Sequence, residues 1–392
     1  MTARAPTRLH VHVATLRVLH TRRSGVARRR SRWAAQSAKE CRAVSSHSDL
    51  QAGAPIRAGL IGCGGISANH LAGYRLVADA ELVAACDVDG QRLADFAERA
   101  GISATHADYR ELIARGDIDM VDICTNDESH AEIAIAAAEA GKHVLIEKPF
   151  ATTEAEGEAV LAAVRSAGVK AMCAQSQRWS PKMLEVKRII DSGEIGEPIF
   201  ARLSLPSSPF WREEESQRWQ DRPPTWLLVH NGMHSFDLMS WLFDSLPQRV
   251  MARSHPGQGW LPVHEYVTCT IRFDSGAIAQ TEENRIMQPP GYPFHCELYI
   301  VGTRGTLDLS DRLTHSVDLY NESGFSLPGA HVTWRPTDPD QPFAGEIRDF
   351  VRAVREDTQP PIPLEFSLTI LRAVLAAARS MTTGEAVAMG HE

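Results

Sequence analysis

The feature that most restricts what this chain can become is IRAGLIGCGGISANH, Ile56 to His70, where a short apolar run meets a cluster of glycines and then turns helix-like. It reads as strand, tight turn and helix. Gly62 permits the turn, Gly64 lets an anion approach the backbone, and the helix start at Ile66 offers unpaired N–H groups to it. Ser67 stands where such turns favour Gly or Ala and is small enough to keep helix and strand close. A second buried-strand pattern, ELVAACDVD, ends on Asp87, 25 residues after Gly62. A carboxylate near that offset accepts hydrogen bonds from the adenosine ribose of a dinucleotide. The pair of features predicts dinucleotide binding, against the plainer reading of a structural strand–turn–helix with an incidental acid.

With 392 residues, 43% of them hydrophobic and 23% charged, the chain has material for two globular cores. No apolar run approaches the roughly 18 residues that span a bilayer, so no membrane segment is expected. The seven cysteines are odd in number and form no CxxC pair. They read as reduced core thiols of an intracellular, cytoplasmic protein, with neither a disulfide frame nor a zinc site. Residues 1–54 carry 11 of the 41 basic side chains and two of the 49 acidic ones, leaving 30 basic against 47 acidic in the body. That balance argues against nucleic acid as a partner. Residues 1–54 read as a disordered Arg-rich extension, with an organelle transit peptide as the alternative.

From Ile56 onward strand and helix patterns alternate. GQRLADFAERAG and YRELIARGDID read as helices, MVDICT as a strand, HAEIAIAAAEAGK as a helix, HVLIEKPF as a strand, TEAEGEAVLAAVRSAG as a helix, and VKAMCAQ closes the series. Repeated β-then-α units with continuous apolar strands imply a doubly wound parallel sheet over residues 55–175. Ligands of such sheets lie beyond the strands' carboxyl ends, so Gly62–Ser67, Asp87, Thr125–Asp127 and Glu147–Pro149 should share one crevice. Residues 176–392 read as an α+β domain with a largely antiparallel open sheet. Its strands include PIFARLSL, HCELYIVG, GTLDLS and a hairpin of EYVTCTIRF and AIAQTEEN, and two amphipathic helices close the chain.

With GKHVLIEKPF beside the glycine turn, the chain resembles the glucose-fructose oxidoreductase/inositol dehydrogenase/MocA family. The resemblance runs from Ile56 to Met389 and takes in GCGGIS, Asp87, Thr125 with His130, Glu147-Lys148-Pro149, and GMHSFD from Gly232 to Asp237. It implies a Rossmann domain, a C-terminal domain whose open sheet forms the contact of a homo-oligomer (dimer or tetramer), and reversible oxidation of a sugar or cyclitol hydroxyl with NAD, NADP being possible. The cofactor would be held by Gly62, Gly64, Gly65, Ile66, Asp87, Thr125, Glu147 and Lys148. An ammonium at Lys148 would favour the alkoxide-like charge of hydride transfer. His234, with an intrinsic pKa near working pH, would move the hydroxyl proton. The bland alternatives are a surface lysine and a buried histidine at a helix start. Asp237 would either orient that helix or imidazole, or be an ordinary early-helix acid.

Two positions depart from the family. His230, in HNGMH, replaces the Asp common four residues before this histidine; a neutral imidazole supplies no fixed charge to His234, although His230 can itself relay a proton. Thr125-Asn126-Asp127 replaces Thr-Pro-Asn, and Asp127 has no assigned role. His230 and His234 have the i,i+4 spacing of a metal pair, but Gly232 and the missing Glu between them argue for no metal. His130 reads as a packed helix-start residue. Arg178, Trp179, Trp211, Trp219 and Trp226 either face the cleft or pack the crossover. The rival functions are an NAD-dependent glycosidase acting by transient oxidation and elimination, and a non-catalytic sensing protein of the same fold.

Overall fold

A computed structural model describes residues 53–206, 219–257, 259, 261–285, 296–310, 316–321, 324–325 and 341–390. Residues 1–52 of the expected extension and Trp211 lie outside the described residues.

Strand β1 (Ile56–Ile61) passes through the glycine turn into helix α1 (Ser67–Arg75). Then come β2 (Ala80–Cys86), α2 (Gly90–Ala100), β3 (Ala104–His106), α3 (Tyr109–Ile113), β4 (Met120–Ile123), α4 (His130–Glu139), β5 (His143–Ile146), α5 (Glu154–Ala167) and β6 (Ala171–Cys173). The six strands make one parallel sheet in the order β3-β2-β1-β4-β5-β6. Every residue of β4, β5 and β6 is buried, which is why their sequences are mostly apolar and not alternating, with Asp122 in β4 and His143 in β5 as the polar exceptions. The helices start where side chains can satisfy the first N–H groups. Asp89 accepts from the N–H of Gln91 and Arg92, and Thr153 with Glu156 forms a reciprocal capping box. YRELIARGDID forms less helix than its composition predicts: α3 ends at Ile113, and Arg115 then turns to pair with Asp117 around Gly116. The order of strands reverses between β1 and β4, so a crevice opens beyond their carboxyl ends.

Helix α6 (Pro181–Asp191) leads to β7 (Pro198–Pro206), α7 (Trp226–Phe243), β8 (Pro247–His255), β9 (Tyr266–Phe273), β10 (Ile278–Asn284), β11 (Glu297–Gly302), β12 (Gly305–Ser310), β13 (Ser316–Asn321) and β14 (Gly324–Phe325). Helices α8 (Gln341–Arg355) and α9 (Leu364–Thr383) follow, then β15 (Val387–Ala388). The nine-stranded sheet runs β14-β13-β12-β11-β7-β10-β9-β8-β15 and is antiparallel except where β7 meets β10. Burial alternates with the strand period: Val267, Cys269, Ile271 and Phe273 point to the core. The other face carries Met251, Thr270, Gln280, Arg202 and Tyr299 in register across five strands, all exposed. Helices α7 and α9 pack on the buried side. Helix α8 instead returns to the first sheet, where Ile347 and Phe350 join Ile56, Ala58 and Tyr74 in one apolar cluster. The described cysteines are buried and free of disulfides, and no helix among the described residues is long and apolar enough to cross a membrane.

Candidate active site

The turn after β1 is built by steric exclusion. Gly62 has φ +98°, and a Cβ there would lie 2.6 Å from the backbone of Cys124 and Thr125, so β1 and β4 can approach only with glycine. At Gly64 and Gly65, by contrast, a Cβ would meet nothing within 4 Å. Open space therefore lies over the turn. The helix that follows has Ile66 at its cap, no side-chain cap and no acid in its first turn, so its first N–H groups face that space without a competing anion. Ser67 donates its hydroxyl to the Gly64 carbonyl at 2.6 Å and fixes the loop from within. Asp87, at the tip of β2, accepts from the N–H of Cys63 at 2.7 Å and of Asp89 at 2.8 Å. Each oxygen keeps a lone pair for a further donor.

Beyond β5, Glu147 and Lys148 enter the same region. Glu147 is buried; one oxygen accepts from the Lys148 N–H at 2.9 Å, and the other pairs with His70 Nε2 at 3.1 Å. His70 is itself fully buried, with Nδ1 2.8 Å from Asp122. Burial would lower the His70 pKa, but Asp122 and its neighbours raise it well above the ordinary value. Burial would likewise push Glu147 up, yet the His70 hydrogen bond and charge hold it down to about 2. His70, Asp122 and Cys124 form a compact buried group, and hydrogen bonds already occupy both imidazole nitrogens.

The two departures from the family pattern meet in space. His230 Nδ1 lies 2.8 Å from Asp127 Oδ2, and His230 Nε2 lies 3.2 Å from Lys148 Nζ. An ammonium can only donate and a carboxylate only accept, so Nδ1 carries the imidazole proton and Nε2 receives the lysine's hydrogen bond. Burial would raise Asp127, but His230 and Lys148 hold it well below the carboxylate range. His234 pairs through Nδ1 with Gln175 Oε1 at 3.0 Å, leaving Nε2 as its acceptor. Burial and the Lys148 charge lower His234 to about 3, far from the near-neutral value its residue type suggests. His234 also lies mid-helix, since α7 begins at Trp226 and not at the GMH motif.

Lys148, His230 and His234 line one cavity of about 270 Å³ together with Ile66, Glu147 and Glu283. Arg285, Asn231, Ser176 and Gln177 complete its polar wall. Sequence patterns did not single out Glu283, whose carboxyl burial raises to about 7, and which accepts from Ser235. Asp237 does not serve an imidazole: its oxygens take two 2.7 Å hydrogen bonds from Arg178, which lies against Trp241 and Phe366. Trp179 donates to Asp349 at 2.8 Å, and Trp226 packs under Arg222. These residues join elements. Trp219 alone among the described tryptophans of the crossover meets a site residue, edge-on to His230 at 5.8 Å. His130 is buried at the start of α4, bonded to the carbonyls of Pro149 and Thr125.

Residues 56–175 match the oxidoreductase family with an NAD-binding Rossmann fold (GFO_IDH_MocA), and residues 183–308 match the GFO/IDH/MocA C-terminal domain. The chain is 30% identical over 270 residues to a D-apiose dehydrogenase of Paraburkholderia graminis, covering 69% of this chain and 71% of that one. The chain belongs to the Gfo/Idh/MocA oxidoreductase family. Within that family it is also 27% identical over 264 residues to an inositol 2-dehydrogenase of Salmonella typhimurium, 65% of this chain and 74% of the relative. An oxidoreductase from Agrobacterium radiobacter, solved with NAD+, L-tartaric acid and magnesium, shares the fold at TM-score 0.78 and 23% identity, over 85% of this chain and 98% of that one.

The Gfo/Idh/MocA cofactor suits this turn on its own geometry: an open cradle above Gly64 and Gly65, an uncapped helix start and a fixed carboxylate at Asp87. A carboxylate there accepts from a free ribose hydroxyl and repels a 2′-phosphate. NAD should therefore bind at least about tenfold more tightly than NADP, and Asp87→Ala should narrow that ratio. Dissociation constants from fluorescence titration check both, and tighter NADP binding would reverse the assignment.

Proposed function

We propose that this chain is an NAD-dependent dehydrogenase that interconverts a secondary alcohol and a ketone on a sugar, glycoside or cyclitol. Residues 55–175 hold the dinucleotide and residues 176–392 supply the opposite wall. The observation that carries this reading is the single cavity in which an ammonium, Lys148, and two imidazoles, His230 and His234, stand beside the glycine turn. Its volume lies near the lower end of the range for small-molecule sites, and its wall is rich in donors and acceptors, which suits one polyhydroxylated ring.

The bound nicotinamide supplies the hydride acceptor. Lys148 donates to the substrate oxygen and favours the negative charge that builds there as the C–H bond breaks. His234, neutral and fixed in one tautomer by Gln175, accepts a hydrogen bond from a neighbouring hydroxyl of the substrate and orients the ring. Glu147 holds the Lys148 backbone in place. The exposed row from Met251 to Tyr299 is the face we assign to contact between copies in a homo-oligomer.

A cofactor-reduction screen over sugars, glycosides and inositols tests this reading. Stoichiometric NADH from a free polyol supports it. Release of sugar from a glycoside without net NADH would establish the glycosidase instead, and cofactor binding without turnover across the panel would establish a sensing role.

A further inference from the structure

We propose that Asp127, acting through His230, is the positioning carboxylate of a proton path that runs from the substrate hydroxyl over Lys148 to His230. The inference rests on the dehydrogenase reading above and adds the route by which the proton leaves.

The path is drawn by three groups in line. Asp127 sits in the 3-10 turn after β4, Lys148 after β5 and His230 on α7, so two elements of the first sheet and one of the second converge. The 2.8 Å contact to Asp127 puts a proton on Nδ1, which leaves Nε2 as an acceptor 3.2 Å from the lysine nitrogen. His234 has no such direct pairing: its far nitrogen meets the neutral amide of Gln175, and the Glu147 charge, which favours an imidazolium, is outweighed by burial and the Lys148 charge. An imidazolium at His230 would be paired with a carboxylate already present: burial and the Lys148 charge lower the His230 pKa, and Asp127 acts against both. Arg222 of the crossover grips Glu128 beside Asp127, and Trp219 lies edge-on to the His230 ring. The first contact ties down the turn that carries Asp127, and the second packs the His230 ring.

The step balances in the oxidation direction. Lys148 first passes a proton to His230 Nε2, and the lone pair this frees on Nζ takes the hydroxyl proton. The C–H electron pair would leave as hydride, for which a bound nicotinamide would be the acceptor, and the carbon–oxygen double bond forms. Lys148 ends as the ammonium it began as, and His230 ends as an imidazolium against Asp127. Reduction runs the same transfers backwards.

The charged and titratable groups facing His230 are Asp127, Lys148, Arg285, His234 on its own helix, and Glu283 across the cavity. Because Glu283 is held near 7, a pH profile alone would not identify the titrating group. The test is therefore Asp127→Asn read in two ways. Nitrogen-15 NMR of the imidazoles should show His230 as the Nδ1–H tautomer in the parent, and its pKa should fall by about one unit or more in the variant. The kcat for alcohol oxidation should fall about ten- to a hundredfold, with its acidic limb shifted down and NAD affinity within about twofold. Moving the carboxylate onto the lysine, in Asp127→Asn with His230→Asp, should recover at least about tenfold of the loss. His230→Asp alone should do worse than this double variant, because it places two carboxylates side by side. An unshifted His230 titration, or a loss of kcat with an unchanged pH profile, would overturn the relay. A parent that turns over no polyol would defeat the dehydrogenase reading, while the NMR titration would still decide whether Asp127 governs His230.

Discussion

Lys148→Ala should lower kcat/KM for alcohol oxidation by about a thousandfold, with NAD affinity changed far less. The size follows from where the ammonium sits. Among the described residues it is the one lysine lining the cavity, its nitrogen is held by the Nε2 and carbonyl oxygen of His230, and its backbone is held by Glu147. A donor fixed in advance at the oxygen of an oxidised alcohol costs no reorganisation when charge develops, and removing one such group costs about 10²–10³ in rate. The truncation also removes the link by which a proton reaches His230, so the effect should reach the upper end of that range. Lys148→Arg should not rescue it, since the planar guanidinium stays charged and cannot hand a proton on. Steady-state kinetics beside an NAD titration and a melting curve check this. A loss of less than about tenfold would remove Lys148 from the chemistry.

The fold was legible where local patterns agree with long-range ones. Gly62, Gly101 and Gly168 punctuate the βα units because each takes a positive φ that L side chains resist. The alternation of Val267, Cys269 and Ile271 placed one face of the second sheet inward. The return of α8 onto β1 was not legible, because its apolar stripe states that it packs but not against which sheet. In the candidate site, the sequence brought Lys148, His230 and His234 forward from the family resemblance, but not the partner of His230, since Asp127 lies 103 residues away. A signal was present: the chain gains a carboxylate at 127 and lacks the usual one at 230, which is what a relocated charge looks like. Asp122 gave a second signal. A carboxylate inside the apolar run MVDICT must find a partner in the core, and that partner is His70, a residue that reads as an unremarkable helical position.

That buried group sets the second large expectation: His70→Leu should destabilise the protein by about 3–5 kcal/mol, a fall in Tm on the order of 10 °C. The imidazole bridges Asp122 and Glu147 at 2.8 and 3.1 Å, and leucine would leave both carboxylates in the core without it. Glu346, nearby and also buried, offers no compensating charge, because a carboxyl group is never positive; burial raises its pKa well above the usual range. The pH dependence has a definite sign. His70 is raised in the folded state, so its contribution is complete below the unfolded pKa of about 6.5 and is lost as pH climbs through the higher folded value. Glu147 is lowered to about 2, so its contribution is complete above roughly 4.5 and is lost as pH falls toward 2. Melting temperature against pH should therefore lose its plateau in His70→Leu, and adding Glu147→Gln should restore part of the loss by removing one stranded charge. Because Glu147 also holds the Lys148 backbone, the variant should lose activity at temperatures where it is still folded. Retention of both the plateau and full activity would show that the carboxylates find another partner, and would detach the site's lysine from the buried histidine beneath it.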